Sequence, residues 1–368
     1  MTVQKEKVAV IGEGWGALLS LAQLWSSNTA EIVWFSGSGS RLVSPLPYLE
    51  SDAANIWREI ALKLELQIEP PEDGSFLREF RNKAFRESVW TKTEDLELRR
   101  EEHDVATWGA ERFFVPVSDA CFESPFAEIE EEIRKTLLSN NLKRVEEVPI
   151  SRIAYANDSS VVNITLASGE EFSFDRVIFA DKWAALSSIS GIPKRLEFMK
   201  KREPGGVLQA VFTHARPISP SVREGFFSNC YREVGEEIQR SIFGYFFDGS
   251  KKSVWTIFLA SDEGEDNHEI TKKLRRLKQT LDRMFSSPEW LGQEKSFTAT
   301  VIDEQVRFEE GASFLSGKPP RVPSVLPEGE WGPGKIVFLT DAYGPSTAAI
   351  QVGSLFSESL GLTPKQNA

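Results

Sequence analysis

Apolar positions recur along this chain in three rhythms, and each predicts a different kind of element. The first is an unbroken run, Val8-Ala9-Val10-Ile11, with charge before it and glycine after it. A short continuous run bounded in this way fits a parallel strand buried on both faces. Leu18, Leu21, Ala22 and Trp25 follow at helical spacing, and Glu31-Ile32-Val33-Trp34-Phe35 makes a second strand-like run. Together they form one βαβ unit.

The second rhythm is helical amphipathicity. Phe126, Ile129, Ile133 and Leu137 stripe one side of an acidic segment, which predicts a surface helix with one buried face. Helices are also expected near Ala53–Leu66 and Ile270–Phe285. The latter sets Leu274, Leu277 and Leu281 on one face of the basic run "KKLRRLKQTLDRMF". The third rhythm is alternation. Val162, Ile164 and Leu166, a turn at Ser168-Gly169, then Phe172 and Phe174 predict a β-meander. "DRVIFAD" reads as a further buried strand. Strands are expected at Val207–Phe212, Ser241–Phe247, Val254–Ala260 and Ile336–Leu339. "RREEHD" and "EIEEEIRK" read as solvated helix faces.

Composition narrows the function classes. A chain of 368 residues, 40% hydrophobic and 27% charged, suits a soluble globular protein of two domains or lobes. No window approaches the ~18 apolar residues of a membrane helix, so no integral membrane segment is expected. "MTVQKEK" runs straight into the first strand, so no signal peptide is expected either. The net charge of -12 disfavours nucleic acid and anionic membranes as partners. Cys121 and Cys230 give no metal spacing or disulfide framework. With His103, His214 and His268 far apart, no metal site is expected. The expectation is a cytoplasmic protein with a small-molecule substrate; the sequence leaves the oligomeric state open.

The chemistry concentrates after the first strand. Gly12, Gly14 and Gly16 follow Ile11, with Ala17 at the third place of a G-x-G-x-x-G/A count. Gly12 lets the chain turn out of the strand, and Gly14 lets a pyrophosphate approach the backbone. Ala17 lets helix and strand pack closely, and the helix N-terminus points N–H groups and its positive dipole end at the phosphates. A dinucleotide is therefore expected here; a similar unit with an empty loop has the same pattern. Ser36 stands where an acid would hold the ribose hydroxyls, and Arg41 is placed to meet a phosphate. Trp15 lies inside the loop, where a large ring either shields the phosphate site or fills part of it.

These segments, with "EFSFDRVIFADKWAAL" and "KIVFLTDAYGPSTAAIQVGSLFSESL", resemble the flavin-dependent amine oxidase family, which includes protoporphyrinogen oxidases and phytoene desaturases. The chain reads as a divergent member. The resemblance implies an α/β fold with a Rossmann-like FAD/NAD(P)-binding lobe and a substrate lobe of β-sheet plus helices. Residues 1–50, 125–190 and 325–368 would form the FAD lobe, and 51–124 and 191–324 the substrate lobe. Asp341 would hold a ribityl hydroxyl, with N-capping as its plainer role. The helix around Ala348, Ala349, Ile350 and Gly353 would approach the isoalloxazine edge, its small residues admitting the ring. Ile150 would touch adenine, and Ala180 would stand as a small residue against the cofactor. Asp181 reads more simply as the cap of a helix through Trp183 and Leu186.

The implied activity is FAD-dependent oxidoreduction, with hydride passing from a small or medium substrate to flavin N5. The alternative is a catalytically degenerate nucleotide-binding or regulatory protein on the same fold, and a third reading places NAD(P) in the same unit. The chain lacks the family's Arg-x-Gly-Gly-Arg loop and the lysine over N5; the corresponding strand reads "GGVLQAVFTHARP". No catalytic residue is assigned from the sequence. The rings of "SIFGYFFDG" read as core, with an aromatic cage as the sharper alternative.

Overall fold

The computed structural model describes residues 5–28, 30–36, 48–49, 51–65, 77–81, 83–87, 120–121, 126–139, 142–146, 149–155, 161–181, 185, 188–191, 205–218, 226–228, 242–247, 249–259, 266–312, 336–339, 352–353 and 355–356. The βαβ unit opens the chain as β1 (Glu6–Ile11), α1 (Trp15–Ser27) and β2 (Ala30–Ser36). Then come the short β3 (Tyr48–Leu49), α2 (Ser51–Lys63), β4 (Leu77–Arg81), β5 (Ala84–Glu87), β6 (Ala120–Cys121) and α3 (Phe126–Ser139). Strand β7 (Lys143–Glu146) precedes the meander β8 (Ile150–Tyr155), β9 (Val162–Leu166) and β10 (Glu171–Phe174), which leads into β11 (Arg176–Phe179). The later chain supplies β12 (Gly205–His214), β13 (Phe226–Ser228), β14 (Ile242–Phe247), β15 (Lys252–Leu259), α4 (Asn267–Met284), β16 (Val301–Ala312) and β17 (Ile336–Phe338).

Five strands make a wholly parallel sheet in the order β17-β11-β1-β2-β7. Its strands are buried on both faces, which is why β1 reads as a continuous apolar run. Val8, Val10, Ile32 and Trp34 face a core shared with α1, α2 and α3. Ala9, Ile11, Val33 and Phe35 face the meander, packing with Ile153, Val162, Ile164 and Phe174. The sheet is thus sandwiched between helices and a second, three-stranded sheet.

Helix α2, expected from the sequence to join the substrate-lobe sheet, shares its core with α1 instead: Ile56, Trp57, Ile60 and Leu64 pack in the same cluster. Gly353 belongs to this contact too, since a Cβ there would collide with the Ile56 side chain. Its small size serves the approach of two chain segments.

The largest sheet has seven strands in the order β16-β12-β15-β14-β13-β4-β5. Helix α4 covers one face. Leu277, Leu281 and Met284 pack there with Leu208, Phe212, Phe246, Trp255, Phe285 and Phe297. Asp266 caps α4 by accepting from the His268 backbone N–H at 2.7 Å, so the helix begins slightly earlier than its hydrophobic stripe predicts. Phe246 thereby resolves as core. On the other face Gln209 donates to Thr256 Oγ1 at 3.2 Å, both buried, among buried Tyr245, Val254 and Phe247.

His214 ends β12 inside the helix-covered core. Thr300 gives its hydroxyl proton to the Phe297 carbonyl, so its Oγ1 accepts from His214 Nδ1 at 2.9 Å. Ser253 accepts from the Trp255 indole N–H and donates to His214 Nε2 at 2.8 Å. This chain of bonds suits a neutral imidazole protonated at Nδ1. Burial, with the charge of Arg216 second, holds its pKa down from 6.5 to about 4.

Candidate functional site

In an open parallel sheet, ligands bind beyond the carboxyl ends of the strands where the strand order reverses. Here β1 lies between β2 and β11, so the reversal falls beside β1. Gly12 leaves that strand at φ +122°, and a Cβ would strike the Ala180 carbonyl at the end of β11. Both the conformation and the crowding demand glycine. Ala180 N–H donates to the Ile11 carbonyl at 2.8 Å, and Gly12 N–H donates to Phe35 at 3.0 Å. Three predicted site residues, Gly12, Gly16 and Ala180, therefore meet at the switch point, since Gly16 lies against the Ala180 methyl and Leu339.

Leu339 follows β17 and donates its N–H to Phe179 at 2.9 Å. Leu339, just past the end of this strand, thus lies beside the glycine loop, two residues before Asp341 in sequence. Asp341 and Ala349 lie outside the described residues, as do Arg41, Ala348, Ile350, Trp183 and Leu186. Ile150 begins β8, partly buried against the meander-side core.

The loop has the properties a pyrophosphate needs. Gly14 is the N-cap of α1 and has no side-chain cap, and the first turn of the helix carries no acid. A Cβ at Gly14 would meet nothing within 4 Å, so the approach to the backbone is open. Ala17 is fully buried at the helix–strand contact. Trp15 does not enter this space, contrary to both sequence expectations. Its ring packs edge-on against Trp57 at 5.2 Å, within the helix-side core.

Four residues around the loop escaped the sequence reading. Trp34 is fully buried, and its indole nitrogen donates to the Gly12 carbonyl at 2.7 Å. Arg134, 3% exposed on α3, donates to the Glu13 carbonyl at 2.7 Å. Arg144 on β7 donates from Nε to Ser36 Oγ at 3.0 Å, and its Nη2 lies 3.5 Å from the Glu13 carboxylate. Both guanidinium groups stack over Trp34, at 4.6 Å for Arg144 and 5.5 Å for Arg134. A cation over an indole face is attracted by the ring quadrupole, so Trp34 fixes two charges and one carbonyl together. The signal that could have found it is a tryptophan inside an apolar strand, because a buried indole N–H requires an acceptor.

Among the described residues, no group of three or more His, Cys, Asp or Glu could hold a metal ion. No helix among them is long and apolar enough to cross a membrane.

The fold is similar to that of several solved flavin-dependent enzymes. Over 99% of this chain it superposes on the flavin-dependent halogenase CmlS with a TM-score of 0.58 at 14% identity, spanning 59% of that protein's length. Aklavinone-11 hydroxylase, solved with FAD and aklavinone, matches 98% of the chain with a TM-score of 0.56 at 13% identity, over 62% of its own length. A putrescine oxidase variant matches 97% of the chain with a TM-score of 0.55 at 10% identity, and here the match takes in 99% of the other protein. No family model matches the sequence, and neither does any curated protein. The chain therefore has a mixed α/β fold, with a Rossmann-like parallel-sheet lobe and a second lobe of β-sheet and helices.

Proposed function

We propose that the chain is an FAD-dependent oxidoreductase acting on a small or medium organic substrate. The observation that carries the reading is the meeting of Gly12, Gly16, Ala180 and Leu339 at the switch point, beside an open backbone at Gly14. The likeness to a halogenase, a hydroxylase and an oxidase supports a flavin rather than a nicotinamide cofactor.

In this reading residues 1–50, 125–190 and 325–368, joined by α2 through its core with α1, make the cofactor lobe. Gly12, Gly14 and Ala17 admit the pyrophosphate to the N-terminus of α1, where the helix dipole favours negative charge. Gly16 and Ala180 are the small residues at the switch point, Ser36 and Ile150 would border the adenosine half, and Asp341 and Ala349, outside the described residues, would meet the flavin half. A bound flavin supplies two-electron chemistry, taking hydride at N5. The chain's own part is to orient the substrate and exclude water. The buried Gln209–Thr256 pair lies with Tyr245, Val254 and Phe247 on the sheet face opposite α4. Amine-oxidase-like hydride transfer is the finer form of this reading, supported by the putrescine oxidase likeness.

The visible spectrum of the purified protein tests it. Flavin absorption bands, or a rise in melting temperature on adding FAD, are expected, because a ligand of the native state must stabilise it. A colourless protein unmoved by FAD favours the degenerate binder instead.

A further inference from the structure

The corner where the ribose of a dinucleotide rests has an unusual charge order. Ser36 ends β2 in place of the usual acid, it is buried, and it accepts from Arg144 Nε. A carboxylate from the glycine loop shares this arginine with Ser36. Glu13, the first variable residue of the glycine loop, lies 3.5 Å from Arg144 Nη2 with its side chain 14% exposed. Arg144 is itself held by stacking on Trp34, and Arg134 holds the Glu13 carbonyl. The carboxylate is thus fixed at both its backbone and its head, over the carboxyl ends of β2 and β7.

We propose that Glu13 supplies the ribose-binding carboxylate of the adenosine half, from the glycine loop rather than from the end of β2, and thereby sets a preference for a ribose without a 2′-phosphate. This rests on the FAD reading. A carboxylate accepts strongly from hydroxyl donors and repels a phosphate at the same place. Arg144 is the positioning residue: it holds Glu13 in place, and Glu13 in turn neutralises a guanidinium that would otherwise attract a 2′-phosphate.

The test uses the full apo chain in calorimetric titrations with FAD, ADP-ribose and 2′-phospho-ADP-ribose. The last two differ only in the phosphate. Wild type is expected to bind FAD and ADP-ribose and to disfavour the 2′-phosphorylated form. Glu13→Gln is expected to weaken FAD and ADP-ribose by roughly tenfold or more and to strengthen 2′-phospho-ADP-ribose, while circular dichroism stays native. Glu13→Ala, a truncation of a partly exposed side chain, is the second variant and is expected to do the same. Unchanged FAD and ADP-ribose affinity in both variants overturns the role of Glu13 while leaving the FAD reading intact. Equal wild-type affinity for the two ADP-riboses also overturns it. A wild type that binds neither FAD nor ADP-ribose removes the FAD reading and this inference together.

Discussion

The indole nitrogen of Trp34 donates to the carbonyl oxygen of Gly12 at 2.7 Å, so the second strand tethers the turn that leaves the first. Trp34→Phe keeps an aromatic ring but removes the donor and leaves a buried carbonyl short of a partner. A loss of about 1–3 kcal/mol in unfolding free energy is expected, read by urea denaturation. Retained flavin is expected to fall as well, because the loop loses its tether.

The three loop glycines answer differently to substitution. Gly12→Ala collides with the Ala180 backbone at a positive φ, and a cost of roughly 3 kcal/mol or complete failure to fold is expected. Gly16→Ala brings a methyl into ordinary contact with Leu339 and Ala180 and should fold normally. Gly14→Trp points into open space, so its thermal unfolding should stay near wild type while flavin occupancy is lost. Full occupancy in Gly14→Trp contradicts the placement of the pyrophosphate.

His214 predicts an acid-sensitive lobe. In the unfolded chain its imidazole titrates near 6.5, and in the fold near 4. Between those values the unfolded state binds more protons, so acid favours unfolding. The neutral ring's contribution is complete above pH 6.5 and is lost as the pH falls to about 4, by roughly 3 kcal/mol in all. His214→Gln should flatten this part of the stability profile, measured by urea unfolding from pH 7 to pH 4. An unchanged slope contradicts the assignment.

Packing and surface charge should contribute on different scales. Trp57 is fully buried against Trp15, and Trp57→Ala is expected to cost about 3–5 kcal/mol. Lys278 meets Glu304 at 2.6 Å on a largely exposed face. Lys278→Ala should cost about 0–1 kcal/mol in the same denaturation experiment.

Local patterns carried the architecture into the sequence. β1 and β2 were legible because burial on both faces leaves no polar position in the run. The meander was legible because Val162, Ile164 and Leu166 alternate between core and surface, and α4 because its stripe faces a sheet. The close packing at the switch point was legible at Gly12, where the missing side chain meets the Ala180 backbone, and at Gly16, which lies against Ala180 and Leu339. The site's electrostatics were hidden by distance along the chain: Arg134 and Arg144 are 121 and 131 residues from Glu13. Trp15 misled for a related reason. The sequence places it in the loop, whereas helix geometry turns its side chain towards Trp57. The contact of Gly353 with Ile56 was hidden in the same way as those of the arginines, since the two residues lie far apart in sequence.

Gly12 is held through its N–H by Phe35, through its carbonyl by Trp34 and through its missing side chain by Ala180. All three restraints come from the chain itself. A turn pinned at three points by its own chain is already ordered, so under the proposed function binding a dinucleotide there would spend little ordering entropy.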